Sequence, residues 1–109
     1  ITSNTDQKTT ARDTSELLYR LQNSQMLSDK ARRIVFDALY SQQSKEGIPK
    51  GCGVSCLVAN KTSEFRDVKH DAAIVTHGES QYVVVIMSTG TTWAQLADVA
   101  KSIHEEMRP

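Results

Sequence analysis

The sequence of 109 residues predicts an α+β domain whose elements follow the order ααβββα, with the three strands in an antiparallel sheet. Two observations support this prediction. Apolar residues recur at helical spacing near both ends of the chain, and three β-rich runs lie between them, separated by short polar connections. This length allows one domain or part of one.

The composition argues against two kinds of partner. Lys and Arg together number 13, as do Asp and Glu, so the formal net charge is zero and the sequence offers no basic footprint for nucleic acid. No apolar run approaches the roughly 20 residues that a helix needs to cross a bilayer, so we expect no membrane span.

The chain begins with a polar stretch that has no periodicity. We therefore expect residues 1–9 to form a linker or a frayed end, and the domain to occupy 10–109. Thr10 is suited to cap a helix because its hydroxyl can accept a hydrogen bond from the first turn. Three leucines then recur on one face, which predicts a helix over 11–23.

A second helix is predicted over 29–42, with Ser28 as its cap. Its apolar stripe has helical spacing. The stripe consists of Ala31, Ile34, Val35, Ala38 and Leu39. The glycines and the proline of segment 47–51 then stop helix formation.

Three strands are predicted, over 54–64, 71–77 and 81–88. A polar connection over 66–69 separates the first two, and the residues around Gly78 give a tight hairpin signal before the third. The third strand is apolar at every position from Val83 to Met87, which predicts burial on both of its faces.

The last helix is predicted over 93–107, with Thr91 or Thr92 as its cap. Its expected apolar stripe consists of Leu96, Val99, Ala100, Ile103 and Met107. By this pattern His104 is a solvated helix residue, whereas Trp93 and Tyr82 are anchors in the core or at its rim.

The only two cysteines, Cys52 and Cys56, are four residues apart. In an extended strand this separation is about 13 Å, too far for a disulfide, whose Cα atoms lie within about 7 Å. A bridge would require Gly53 to turn the chain, so two free thiols are the favoured interpretation. Zinc binding with His70 and His77 is disfavoured, because neither a Cys-x-x-Cys motif nor a paired histidine spacing is present.

The first strand ends in Lys61-Thr62-Ser63, which resembles the Lys-Thr-Gly box of the serine β-lactamases and penicillin-binding proteins (D-Ala-D-Ala peptidases). Thr10-Ala11-Arg12-Asp13 resembles the Thr-Ala-x-Asp helix start of that family. The Ile48-Pro49 turn and the His70-Asp71 pair also have counterparts there. The resemblance implies the C-terminal portion of a class A-like domain, in which His70-Asp71 is structural and Asp71 bonds nearby backbone.

The resemblance also implies roles for four residues. Lys61 would hold the substrate carboxylate, Thr62 would donate a hydroxyl hydrogen bond to it, and Ser63 would take the place of the small residue against which substrate lies. The backbone N–H of Glu64 would supply half of an oxyanion hole. Without the resemblance, Lys61 and Glu64 are charges that protect a strand edge.

In the resembling family, these residues serve acyl transfer on β-lactams or cell-wall stem peptides outside the cytoplasm, without a metal or other cofactor. The nucleophile motif Ser-x-x-Lys occurs nowhere in this sequence, so the chain alone is predicted to be inactive. Either a separate segment supplies the nucleophile, or the chain is a non-catalytic binding or structural module that contacts a protein partner or the cell wall. An unrelated small α+β domain is a third interpretation.

The third strand predicts a partner. In a three-stranded meander its outer edge, Tyr82–Met87, presents unpaired backbone groups over a very apolar run. The resembling family fills this edge with its own N-terminal strand. We therefore expect that the missing N-terminal segment, or a second copy of the chain, pairs there.

Overall fold

The computed structural model describes residues 8–23 and 26–107. Most of the linker or frayed end expected over 1–9 lies outside the described residues. The helices are α1 (Ala11–Asn23), α2 (Asp29–Tyr40), α3 (Ile48–Cys52) and α4 (Trp93–Met107), and the strands are β1 (Leu57–Phe65), β2 (Val68–His77) and β3 (Ser80–Thr89). None of the helices in these described ranges is long and apolar enough to cross a membrane.

The three strands form an antiparallel sheet in the order β1-β2-β3, which confirms the predicted α+β class. The connection between β1 and β2 is only the turn at Arg66 and Asp67, shorter than predicted, and Arg66 has a φ of 57°. Gly78, with a φ of 61°, forms the turn between β2 and β3, where a tight hairpin requires positive φ.

Helices cover both faces of the sheet. Helices α3 and α4 pack on one face, where the core is formed by Ile48, Val58, Ala73, Val75, Tyr82, Val84, Leu96 and Ala100. Because side chains alternate along a strand, Ile74 and Val83 point to the other face. There they line a groove of about 470 Å³ together with Tyr19 of α1. Helix α2 contacts β1, and neither α1 nor α2 has a fully buried residue.

The predicted caps of all three long helices are confirmed. The Thr10 hydroxyl accepts from the N–H of Asp13 at 3.0 Å, and the Ser28 hydroxyl accepts from the N–H of Ala31 at 3.2 Å. At α4, the Thr92 hydroxyl accepts from the N–H of Gln95 while the Gln95 side chain accepts from the N–H of Thr92, a reciprocal capping box.

Helix α3 is an element that the sequence did not predict, because Gly47, Pro49 and Gly51 were interpreted only as helix breakers. Pro49 lies in the first turn, where its missing N–H costs nothing. Gly51 faces α4, and its lack of a side chain allows the two helices to approach closely. The prediction that segment 47–51 stops helix formation is therefore wrong. Helix α2 ends at Tyr40, two residues before its predicted end.

The predicted start of the first strand and the predicted free thiols are wrong. Strand β1 begins at Leu57 rather than at 54, because Gly53, with a φ of 94°, sends residues 54–55 into a turn. With α3 and this turn folding the segment back, the Cα atoms of Cys52 and Cys56 lie 6.0 Å apart and the two cysteines form a disulfide. The distance expected for an extended strand therefore does not apply.

The buried face of α4 differs from the predicted stripe. Its buried residues are Leu96, Ala97, Ala100 and His104. Val99 and Met107 are instead 48% and 50% exposed, and the interpretation of His104 as a solvated residue is wrong, since it is only 5% exposed. The close approach of α3 favours small residues on this face, and His104 finds a buried polar partner in Tyr82.

Strand β3 is less buried than its uniformly apolar sequence predicted. Tyr82 and Val84 are buried in the core, whereas Val83 and the residues from Val85 to Met87 are only half-buried. The second face of this strand therefore has incomplete cover in the part of the chain that the structure describes.

Candidate functional site

Strand β1 forms one edge of the sheet. Only β2 pairs with it among the described residues, so alternate N–H and C=O groups along β1 point away from the sheet. The Lys61-Thr62-Ser63 box lies in the second half of this strand. An extended ligand can join such an edge through main-chain hydrogen bonds, as an additional strand does.

The structure brings the four predicted site residues together at one exposed strand end, on two faces. Lys61 and Ser63 point to the face covered by α1, and Thr62 and Glu64 point to the face of α3 and α4. Lys61, Ser63 and Glu64 are exposed and Thr62 is half-buried. The Lys61 ammonium donates to the carbonyl of Thr62 at 2.6 Å, which leaves further donors for an anionic ligand.

The Glu64 side chain has a partner that the sequence did not reveal. Its carboxylate accepts a hydrogen bond of 2.8 Å from the indole Nε1–H of Trp93, the first residue of α4. This contact joins the end of β1 to the start of α4. Trp93 is half-buried against the core, in agreement with its predicted role as an anchor.

A buried polar network lies beneath the box. Asp71 is opposite Thr62 in the β1–β2 register and is fully buried. Its carboxylate accepts from the N–H of Ile48 at 2.9 Å and from the Asn60 amide at 3.1 Å. The Asn60 oxygen in turn accepts from the ammonium of Lys45 at 2.8 Å. Asp71 thus ties α3 to the sheet, which confirms that it bonds nearby backbone.

Burial dominates the electrostatics of this network. Desolvation raises the pKa of Asp71, although the N–H of Ile48, the Asn60 amide, the N–H of Ala72 and the Lys45 charge all oppose the rise. Desolvation also lowers the pKa of Lys45, and the Asp71 charge opposes that change. For each group, the loss of solvation outweighs the attraction to the other charge, from which the Asn60 amide separates it.

Sequence reasoning missed Lys45 and Asn60. Lys45 lies in an irregular loop, and no periodicity could place it. Asn60 did carry a signal, because it lies two residues after Val58 and so on the inward face of β1. A polar side chain there needs a buried partner.

Comparisons with known proteins agree with this architecture. A family model described as the β-lactamase enzyme family matches residues 2–107. The solved structure of PBP-A has a TM-score of 0.78 and 22% identity, over 87% of this chain and 38% of that chain, and a PBP-A variant in an acyl-enzyme complex with penicillin G gives the same values. A halotolerant bacterial β-lactamase has a TM-score of 0.80 and 18% identity, over 92% of this chain and 42% of that chain.

No curated protein sequence matches this chain. The chain spans about two fifths of the length of the solved structures that it matches. The sheet with helices on both faces and the extent of these matches define the class as a β-lactamase-like α+β fold. The family model covers nearly the whole sequence, and the chain belongs to the β-lactamase enzyme family.

Proposed function

We propose that this chain is the C-terminal portion of a serine hydrolase domain that carries out acyl transfer on β-lactams or peptidoglycan stem peptides outside the cytoplasm. The observation that supports this most is the exposed Lys61 on an open strand edge, in a chain that belongs to the β-lactamase family. The penicillin acyl-enzyme of the PBP-A variant supports a β-lactam as one substrate class.

In this proposal the substrate lies along the edge of β1. A ligand in that position is reached from both faces of the strand, so Lys61 on one face and Thr62 on the other can bind the same carboxylate. The side chain of Ser63 is small, so the substrate has room to lie against the strand. The N–H of Glu64 is a fixed dipole that would stabilise the oxyanion of the tetrahedral intermediate.

The nucleophile has to come from elsewhere, because none of the 109 residues belongs to a Ser-x-x-Lys motif. With such a segment present, its serine attacks the carbonyl and its lysine moves the proton, while β1 binds the carboxylate and the oxyanion. Without one, the same edge serves the alternative function, a non-catalytic module that contacts a protein partner or the cell wall.

The chain alone is expected to form no covalent adduct with penicillin G in intact-mass measurements.

When a segment carrying Ser-x-x-Lys is supplied, either fused to the chain or mixed with it, we expect acylation by penicillin G. In that system Lys61→Ala should lower kcat/KM about 100-fold, the usual cost of losing one preorganised charge-stabilising group.

Glu64→Gln is the matched control for this experiment. It keeps the backbone N–H and an oxygen acceptor for Trp93, so kcat/KM should stay within a few-fold of the parent protein. A stoichiometric adduct on the chain alone would contradict the requirement for a separate nucleophile. Equal losses for Lys61→Ala and Glu64→Gln would argue against the strand-edge site, and no acylation with the segment present would favour the binding module.

We also propose that the outer edge of β3 is paired in the functional protein, by an upstream segment of the same domain or by a second copy. Among the described residues β3 pairs only with β2, and its apolar run from Val83 to Met87 is half-buried apart from Val84. Neither a charge nor a proline interrupts Tyr82–Met87, so nothing in this strand discourages edge-to-edge pairing.

Light scattering at micromolar concentration is therefore expected to show the purified chain as a dimer or larger species. Hydrogen exchange should show protection of alternate amides between Tyr82 and Met87 that increases with concentration. A monodisperse monomer whose outward-facing β3 amides exchange freely would show that this edge tolerates solvent.

A further inference from the structure

A cluster of sulfur and nitrogen atoms lies away from the strand-edge site, at the other end of β1. Cys52 ends α3, Cys56 immediately precedes β1, and His104 comes from the buried face of α4. One ligand atom from each of these residues lies within 4.8 Å of the others. The proposed acyl transfer uses none of the three.

His104 is held with one ring nitrogen toward the sulfurs. Its Nε2 lies 3.6 Å from Sγ of Cys56, and its Nδ1 is 2.7 Å from the hydroxyl of the buried Tyr82. In the tautomer whose Nδ1–H donates to the Tyr82 oxygen, the Nε2 lone pair faces the cysteines. Metal-binding histidines are oriented in this way, with the second nitrogen fixed by an oxygen.

The spacing of the donor atoms fits a tetrahedral metal centre. Bond lengths of about 2.3 Å to sulfur and about 2.05 Å to nitrogen place the two ligand atoms about 3.6 Å apart. In the disulfide form, Sγ of Cys56 lies 3.6 Å from Nε2 of His104, which matches this distance. The three residues between Cys52 and Cys56 also fall within the usual spacing of cysteine pairs in zinc sites.

His77 is a neighbour of His104 but not a member of this group of three. The ring of His77, at the end of β2, packs edge-on against His104 with centroids 5.0 Å apart. By contrast His70, which the sequence offered as a zinc ligand beside His77, lies on the opposite face of the sheet. His104, rather than His70, is therefore the histidine that the fold brings to the two cysteines.

We propose that reduction of the Cys52–Cys56 disulfide converts this cluster into a binding site for Zn²⁺, with Cys52, Cys56 and His104 as ligands and water as the fourth. An external dithiol supplies two electrons and two protons and is itself oxidised to a cyclic disulfide. The S–S bond between Cys52 and Cys56 is thereby broken, and each cysteine becomes a thiol. The metal then displaces one proton from each thiol and binds two thiolates. The junction between α3 and β1 thus stays cross-linked in both redox states.

The test uses Co²⁺ as a spectroscopic probe for the zinc site. The chain is reduced with dithiothreitol, freed of reductant by anaerobic desalting, and titrated with Co²⁺. We expect one equivalent to bind with thiolate-to-cobalt charge-transfer absorption in the near ultraviolet and tetrahedral d–d bands, and one equivalent of Zn²⁺ to displace it. The oxidised chain should show no such absorption.

Variants separate the proposed site from adventitious binding. Cys52→Ser leaves one thiolate, so the charge-transfer absorption should lose the intensity that is expected for two. His104→Gln should weaken Co²⁺ binding at least 10-fold. His70→Gln should leave Co²⁺ binding unchanged. Because His104→Gln removes a buried group, Tyr82→Phe provides a second measurement, with an expected loss of about 10-fold through the orientation of His104. No charge-transfer band in the reduced chain, or Co²⁺ binding as tight as in the wild type for both His104→Gln and Tyr82→Phe, would overturn the proposal.

Discussion

Gly51→Ala is expected to lower the free energy of unfolding by about 3 kcal/mol, the upper part of the range for overpacked cores. A Cβ at this position would collide with the carbonyl oxygen of Ala97 and lie 2.8 Å from the Cβ of Ala100 and 3.0 Å from the backbone nitrogen of Lys101. Two of these contacts are with backbone atoms of α4, so only a separation of α3 from α4 can relieve them. Urea unfolding followed by circular dichroism measures the loss.

The sign of this change makes the experiment decisive. In a helix with free space, alanine in place of glycine stabilises by about 0.5–1 kcal/mol. A stabilised Gly51→Ala protein would therefore contradict the close packing of α3 on α4. Gly90→Ala is the control: a Cβ there meets nothing within 4 Å, and its φ of 71° predicts a loss of only about 1–2 kcal/mol.

Asp71→Ala is expected to cost at least about 3 kcal/mol. The substitution leaves the buried N–H of Ile48 and an Asn60 amide hydrogen without an acceptor. Each buried unsatisfied donor costs about 1–3 kcal/mol. The substitution also opens a small cavity beside Lys45. Chemical unfolding at neutral pH measures this loss. Asp37→Ala, at an exposed carboxylate of α2, should change stability by less than about 0.5 kcal/mol.

The pH dependence gives an independent check on Asp71. Burial raises the pKa of Asp71 in the folded state above its ordinary value of 3.8. At pH values between the unfolded and the folded pKa, the folded protein therefore binds more protons than the unfolded chain. The contribution of this group to stability is therefore greatest below the unfolded pKa and declines as pH rises through the folded pKa. Asp71→Asn removes the titration, so the stability difference between the wild type and this variant should narrow from pH 4 to pH 7.

If instead the difference widened over this interval, Asp71 would have a lowered pKa, and its hydrogen bonds and Lys45 would outweigh burial. Asp71→Asn should remain less stable than wild type throughout. The new amide can accept from the N–H of Ile48 only by turning its own N–H groups toward the Asn60 donor.

The elements with strong local signals were predictable from the sequence. The bounds of α1 and α4 were predicted as they occur, because capping threonines precede regular apolar spacing. Helix α3 was not predictable, since its glycines and proline oppose helix formation locally. The requirement for glycine at position 51 comes from its close packing on α4, which is a tertiary contact. The disulfide was missed for the same reason, as it depends on the turn that follows α3.

The candidate site was predictable in part. The Lys61-Thr62-Ser63 box was recognisable as a motif, and the sheet places it on an open edge, while its role in binding remains a prediction. The partners of buried polar groups could not be predicted, because Asn60 meets Lys45 and Tyr82 meets His104 only through tertiary packing. No sequence periodicity reports contacts between such distant positions.

The unequal burial of the helices has a consequence for how the molecule opens. Helices α3 and α4 share the central core with the sheet. In contrast, α1, on the other face, and α2, beside β1, have no fully buried side chain. Cooperative units with few buried contacts detach at lower free energy than the rest. We therefore expect two foldons, a tight sheet–α3–α4 unit and an outer α1–α2 layer that lifts away at lower free energy while the strand bearing Lys61 keeps its shape.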